Sequence, residues 1–347
     1  MAADSDIAQL RAALDAAVVG HDDAKTALLL ALAAREHALL IGPSGCGKTA
    51  LAEALLDATS ARAARVAFHR DTRAAELLGE VALERAPHER GERLALRALP
   101  NALARAELWL LSDLERAPGE ALAPLLRMLG EREGAGGPLA LATAIATLLP
   151  PAQARYADAL EPAQLDRFAL QVRMRAHALA ADPTSASALL GRAADARPDA
   201  PARAQPRGVT AGSDPGVTPP LSASALRDLA LRARTVSVAA RVQQEWLALW
   251  QRLAQLARSA GAMPPSDRVV AAPGIAVLRA HALLAARAEA TQADLRAARF
   301  MLAARVPESL QRAAEQLIER AAAGELAPPS SVARAGRALQ GDAGRAP

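Results

Sequence analysis

Residues Gly42 to Thr49 read GPSGCGKT; they follow the apolar run from His37 to Ile41 and open the helical stretch TALAEALL. A G-x-x-x-x-G-K-[ST] spacing between a strand and a helix makes a phosphate loop, where the same glycines elsewhere would make an ordinary turn. Gly42, Gly45 and Gly47 let the backbone curl until successive N–H groups face inward, with Pro43, Ser44 and Cys46 between them. Lys48 is expected to reach the β- and γ-phosphates and the Thr49 hydroxyl to ligate Mg²⁺. The helix that begins here adds its positive N-terminal end to the anion site. The motif therefore predicts a nucleoside-triphosphate site and, with it, a parallel α/β sheet.

Composition narrows the rest. The chain has 347 residues, enough for two domains. Apolar residues reach 52% while aromatics are only 2%, which favours a helix-rich protein with a small-residue core over a β-sandwich. No apolar run is long enough for a membrane span, and the N-terminus MAADSD is acidic, unlike a signal peptide. Cys46 is the single cysteine, which excludes an internal disulfide and fits a reducing cytoplasm. Its place near a helix N-terminus allows a redox role or mere chance occupancy. Arginine supplies nearly all the positive charge, Lys25 and Lys48 being the lysines, and the net charge is only +4. Arginines alternate with Glu and Asp along helical stretches, so solvated helix faces explain them better than a nucleic-acid footprint.

Along the chain, two short helices are expected over residues 5–35, then strands at 37–41, 64–69, 107–112, 139–147 and within 165–174. Residues 70–100, broken by Gly79, Pro87, Gly91 and Pro100, suggest an irregular or inserted element. Strands alternating with helices after a phosphate loop place the nucleotide at the carboxyl edge of the sheet. Residues 1–188 are thus expected to form an αβα core with a five-stranded parallel sheet. A flexible linker or insertion follows over 189–221, then a helical lid over 222–325 and a disordered tail over 326–347. In the lid, Val242, Trp246, Leu249, Trp250 and Leu253 fall on one helical face, and Thr291 with Asp294 has capping-box spacing.

Hydrolysis needs a Mg²⁺-holding carboxylate and a group that orients the attacking water, both at the end of a buried strand. The third strand ends LLSDLERAP, Leu110 to Pro118, and the helix after it runs to Arg132. Here the chain resembles the MoxR branch of the AAA+ ATPases, most closely its RavA-like members, over most of residues 8–325. The family carries Asp-Glu at the strand end and Ala-Pro shortly after. That register sets Ser112 on the Mg²⁺ aspartate and Asp113 on the catalytic glutamate, a degenerate Walker B motif. A shifted register makes Asp113 the Mg²⁺ ligand and Glu115 the base, at the cost of moving against the Arg116-Ala117-Pro118 landmark.

The resemblance implies further roles. Val18, Val19 and Gly20 match the family's adenine-cupping entry motif, and ELLG at 76–79 matches the segment before its inserted hairpin. Thr147 takes the place of the polar sensor after the fourth strand, or Ile145 does if the gap is set differently. Arg167 in LDRF is the implied arginine finger, with a surface salt bridge as the plain alternative, and Arg268 in PPSDR is the implied second sensor. Pro273-Gly274 stands where the more typical MoxR sensor has Pro-Arg. The resemblance implies an ATP–Mg²⁺-dependent ring, a hexamer, that assembles or remodels a client such as a von Willebrand factor A-domain protein. A different class stays open, an ATP-binding scaffold that hydrolyses little or nothing. A magnesium-chelatase-like motor is a third.

Overall fold

The computed structural model describes residues 2–88, 91–99, 101–134, 136–150, 153, 160–176, 187, 208–211 and 221–326. The tail expected over 326–347 lies outside them from residue 327, as does most of the expected linker. The described chain divides into two compact units, Met1–Leu229 and Ala230–Pro347. That boundary falls inside the helix Ala223–Thr235, later than the expected lid start at 222.

The first unit opens with α1 (Ala2–Ala17) and α2 (Asp22–Ala34), the expected helix pair. They are tied by Lys25, whose buried Nζ donates to Asp15 Oδ1 at 2.7 Å. Then come β1 (Ala38–Ile41), α3 (Lys48–Asp57), β2 (Ala63–Ala67), α4 (Ala74–Leu78), β3 (Glu80–His88) and β4 (Gly91–Leu99). α5 (Ala102–Arg105), β5 (Leu108–Ser112), α6 (Gly119–Glu131), β6 (Glu133–Gly134), β7 (Gly137–Pro138) and β8 (Thr143–Leu148) follow. The unit's remaining strands are β9 (Leu170–Arg173), reached through the short α7 (Pro162–Leu165), and β10 (Gly208–Ala211).

The main sheet has the order β10-β2-β5-β8-β1-β9. The five strands from β2 to β9 run parallel, as the sequence predicts, and β10 joins β2 antiparallel at the edge. Every residue of β1, β5 and β8 is buried, so these strands show no alternation of apolar and polar residues, the polar Ser112, Thr143 and Thr147 being buried with the rest. His37, just before β1, locks three elements together. Its Nδ1 accepts the Ala144 N–H at 3.0 Å, so Nε2 carries the hydrogen and donates to Leu129 O at 3.1 Å.

Residues 70–100 hold an inserted element and not an irregular one: after the ELLG segment at 76–79, β3 and β4 make a long antiparallel hairpin in a two-stranded sheet of its own. The breaking residues fall where regular pieces end, with Gly79 closing α4 at φ 84° and Gly91 starting β4. The fourth strand begins at Thr143, not Leu139, because Leu139 N instead bonds Arg132 O across the β6–β7 hairpin. Within the linker or insertion expected over 189–221, Gly208–Ala211 pairs with β2 and Leu221 bridges to Thr59.

The second unit is helical apart from Ser237–Val238, which pairs in parallel with Glu289–Ala290. Its longest helix, Ala240–Ser259, buries the expected face of Val242, Trp246, Leu249, Trp250 and Leu253. Trp246 and Trp250 meet edge to face, with centroids 5.5 Å apart. Trp246 Nε1 donates to Val270 O at 2.9 Å. A Cβ on Gly274 would lie 2.8 Å from the Trp246 ring, so the family's sensor arginine has no room to start there.

Candidate nucleotide site

The loop Gly42–Thr49 leaves β1 at the carboxyl edge of the sheet and ends in α3. Gly42 N donates to Leu148 O at 3.1 Å, which fixes the loop's first residue to the end of β8. A Cβ on Gly42 would run into the Met174 carbonyl and the Cys46 sulfur, so only glycine fits. Gly45 and Gly47 have φ of 79° and 91°, the left-handed region that glycine adopts without a side-chain penalty. Gly47 caps α3 with no side-chain bond to its first amides. Val18 packs against the same turn, 3.4 Å from where a Gly47 Cβ would sit. Gly20, with φ 68°, and the half-buried Val19 lead from it into α2.

Lys48 is 7% exposed, and its Nζ donates to Gly42 O at 2.6 Å and Pro43 O at 2.8 Å. A buried ammonium is costly without such partners, and here the loop's own carbonyls hold it at the loop's mouth. Thr49 is half-buried on the first turn of α3.

The neighbouring strand ends bring the other predicted residues to this edge. Ser112 is the last residue of β5 and is buried, its carbonyl accepting Phe68 N–H at 3.0 Å. Asp113 follows in the left-handed region at φ 57°, where Asp is among the better-tolerated side chains. Its N–H donates to the Thr147 hydroxyl at 3.0 Å. Thr147 is fully buried on β8, and this bond crosses directly between the strands. Ile145, the alternative sensor, lies lower on β8, opposite Leu110 in the body of the sheet.

Glu115 completes the edge. It sits in the 3₁₀ turn Leu114–Arg116, only 6% exposed, with Oε2 accepting Leu149 N–H at 3.3 Å. Oε1 is buried and has no hydrogen-bond partner among the described residues. Burial pushes this carboxyl above the usual range against its own backbone N–H, the Leu149 N–H and Arg116, and the nearby Asp113 charge adds to the rise.

Arg167 lies half-buried in the turn before β9. The fully buried Gln171 clamps that turn, its Nε2 donating to Leu165 O at 3.0 Å and Phe168 O at 3.3 Å. Sequence reading passed over Gln171, Met174 and the burial of Glu115, because none belongs to a motif. Arg268 is exposed on the short helix Asp267–Val270 of the second unit.

The donors suit Mg²⁺ in kind: Thr49 and Ser112 hydroxyls with the Asp113 carboxylate are hard oxygens, and one carboxylate plus substrate phosphates is a common Mg²⁺ set. Among the described residues no cluster of three or more His, Cys, Asp or Glu forms a self-sufficient metal cage. Nor is any described helix long and apolar enough to cross a membrane.

Residues 37–168 match the family model for the AAA domain (dynein-related subfamily). No curated protein matches the chain. The fold is similar to the crystal structure of a candidate ATPase from Cytophaga hutchinsonii, with a TM-score of 0.69 at 17% identity. The match covers 94% of this chain and 96% of that one. The phosphate loop, β5 and β8 all lie within the residues that match the AAA-domain model.

Proposed function

We propose that this protein is a MoxR-like AAA+ ATPase that binds ATP–Mg²⁺ and couples binding and slow hydrolysis to the assembly or remodelling of a partner protein. The observation that carries the reading is the buried Lys48 in a glycine-built loop at the edge where Asp113, Glu115 and Thr147 meet. Lys48 and the first amides of α3 bind the phosphates, and the Val18–Gly20 segment cups the base. Mg²⁺, when bound, neutralises phosphate charge; Thr49, Ser112 and Asp113 would hold it. Thr147 and a carboxylate of the Asp113–Glu115 turn position the attacking water, Arg268 is the second sensor that the resemblance implies, and Arg167 reaches a neighbouring subunit of a hexameric ring. A von Willebrand factor A-domain protein is the client class this reading favours, in the cytoplasm that the single cysteine suits. Nucleic acid is no part of it.

A second reading, an ATP-binding scaffold with little turnover, is favoured by one observation. The residue at the end of β5 is Ser112, which brings no charge to the metal. Steady-state ATP hydrolysis with Lys48→Ala as the blank separates the two readings. Ser112→Asp is expected to tighten Mg²⁺-dependent ATP binding by about 10–100-fold and to raise turnover with it. An unchanged Mg²⁺ dependence in that variant would remove Ser112 from the metal's surroundings.

A further inference from the structure

We infer that Glu115, and not Asp113, is the carboxylate that aligns the attacking water, leaving Asp113 on the Mg²⁺ side of the site. The inference rests on the reading of this edge as an ATP-hydrolysing site and assigns its missing part. Two bonds fix where Glu115 stands. Leu148 O receives the N–H of Gly42, the first residue of the phosphate loop, and the very next amide, Leu149 N–H, is received by Glu115 Oε2. The carboxylate is therefore one peptide unit away from the residue that anchors the loop. One of its oxygens is spent on holding that position.

The other oxygen, Oε1, is buried and without a partner among the described residues. A buried carboxylate oxygen with nothing to accept from is a destabilising arrangement, and such atoms in native folds call for an explanation. A water molecule bound beside the γ-phosphate supplies the missing donor. Asp113 fits this task less well. Its side chain is one methylene shorter than glutamate and is only half-buried, and its left-handed backbone is set by the Thr147 bond. Misplacement of a reacting group by about 1 Å can cost on the order of 100-fold in rate. Glu115 has the length, and its turn is anchored by Arg116 N–H to Asp113 O at 2.9 Å.

The step balances as ordinary hydrolysis. The water oxygen bonds to the γ-phosphorus, and the bond from that phosphorus to the β–γ bridging oxygen breaks with its electron pair staying on ADP. The water's proton passes to Glu115 and from there to the released phosphate or to solvent.

The test compares the full-length protein with Glu115→Gln, Asp113→Asn and Lys48→Ala. Turnover at saturating ATP–Mg²⁺, ATP affinity with Mg²⁺ and with EDTA, and nucleotide-free melting are read for each. Glutamine keeps the volume and an oxygen for Leu149 N–H. Glu115→Gln is expected to retain melting temperature and ATP affinity while losing about 10²–10⁴ in turnover. Asp113→Asn is expected to narrow the gap between the Mg²⁺ and EDTA affinities. Turnover of Glu115→Gln at the parent rate overturns the assignment. If that variant does not fold, Asp113→Asn still decides: lost turnover with an unchanged Mg²⁺ gap makes Asp113 the water-aligning group. A parent that binds ATP without hydrolysing it overturns the role of Glu115 and leaves nucleotide binding standing. A parent that binds no ATP overturns the site as a whole.

Discussion

Asp294→Ala is expected to destabilise the second unit by about 3–5 kcal/mol, the cost of removing one member of a buried ion pair and stranding the rest. Asp294 is fully buried, and four groups converge on it. Arg287 grips both its oxygens, at 2.6 Å each, and His281 Nδ1 donates to Oδ1 at 2.6 Å. The Thr291 N–H reaches Oδ2 at 2.7 Å, which with the Thr291 side chain accepting the Asp294 N–H makes the capping box read from the sequence, and the Thr291 hydroxyl also reaches Oδ2 at 3.2 Å. Burial alone would push the carboxyl up, but the bonds from His281, Arg287 and Thr291 outweigh it and hold the carboxyl well below the usual range. The sign for pH follows. A depressed folded value means the contribution is complete above the unfolded carboxylate range and fades as pH falls through it toward the folded value. Denaturant melts of the parent at neutral pH and in acid should show this loss, and the same loss should be smaller in Asp294→Ala. Equal acid sensitivity in the two proteins would place the titration elsewhere.

Arg167→Ala is expected to lower ATP turnover by about 10³–10⁵-fold, the range for an arginine that neutralises γ-phosphate charge across a subunit boundary. The turn that bears Arg167 is held from beneath by Gln171, so truncating the side chain should leave the fold intact. Two readouts separate a shared site from a surface salt bridge. Turnover per chain should rise steeply with protein concentration. Mixing Arg167→Ala with Lys48→Ala subunits should recover some activity, because an intact arginine can then face an intact phosphate loop. Turnover independent of dilution, with no recovery on mixing, would assign Arg167 to its own chain's surface.

What was legible in the sequence followed from local rules. The glycine spacing fixed the phosphate loop because positive φ at 45 and 47 and a crowded Gly42 leave no other residue type. β1 and β5 announced themselves as short apolar runs, and the lid's Val242–Leu253 face by helical spacing. Features that depend on distant partners did not show. β10 pairs with β2 across more than a hundred residues, and nothing in GVTA marks it as an edge strand. The β3–β4 hairpin was legible only as an inserted element after ELLG, its strand bounds hidden because Pro87 and the glycines suggest breaks that fall near the ends of the strands. Around the phosphates, motif spacing led to Ser112 and Asp113. The weight of Glu115 emerges only when its burial, its bond to Leu149 and its unpartnered oxygen are seen together.

Whether Gly42–Thr49 binds a nucleoside triphosphate through Lys48 is tested best by direct binding. Thermal melting of the full-length protein should be followed with and without ATP–Mg²⁺, alongside Lys48→Ala. Ligand at about a hundredfold excess over its Kd adds about 2.7 kcal/mol to the folded state. A clear upward shift is expected for the parent and none for Lys48→Ala, with both melting alike when nucleotide is absent. An ATP-induced shift that survives intact in Lys48→Ala would contradict binding through Lys48.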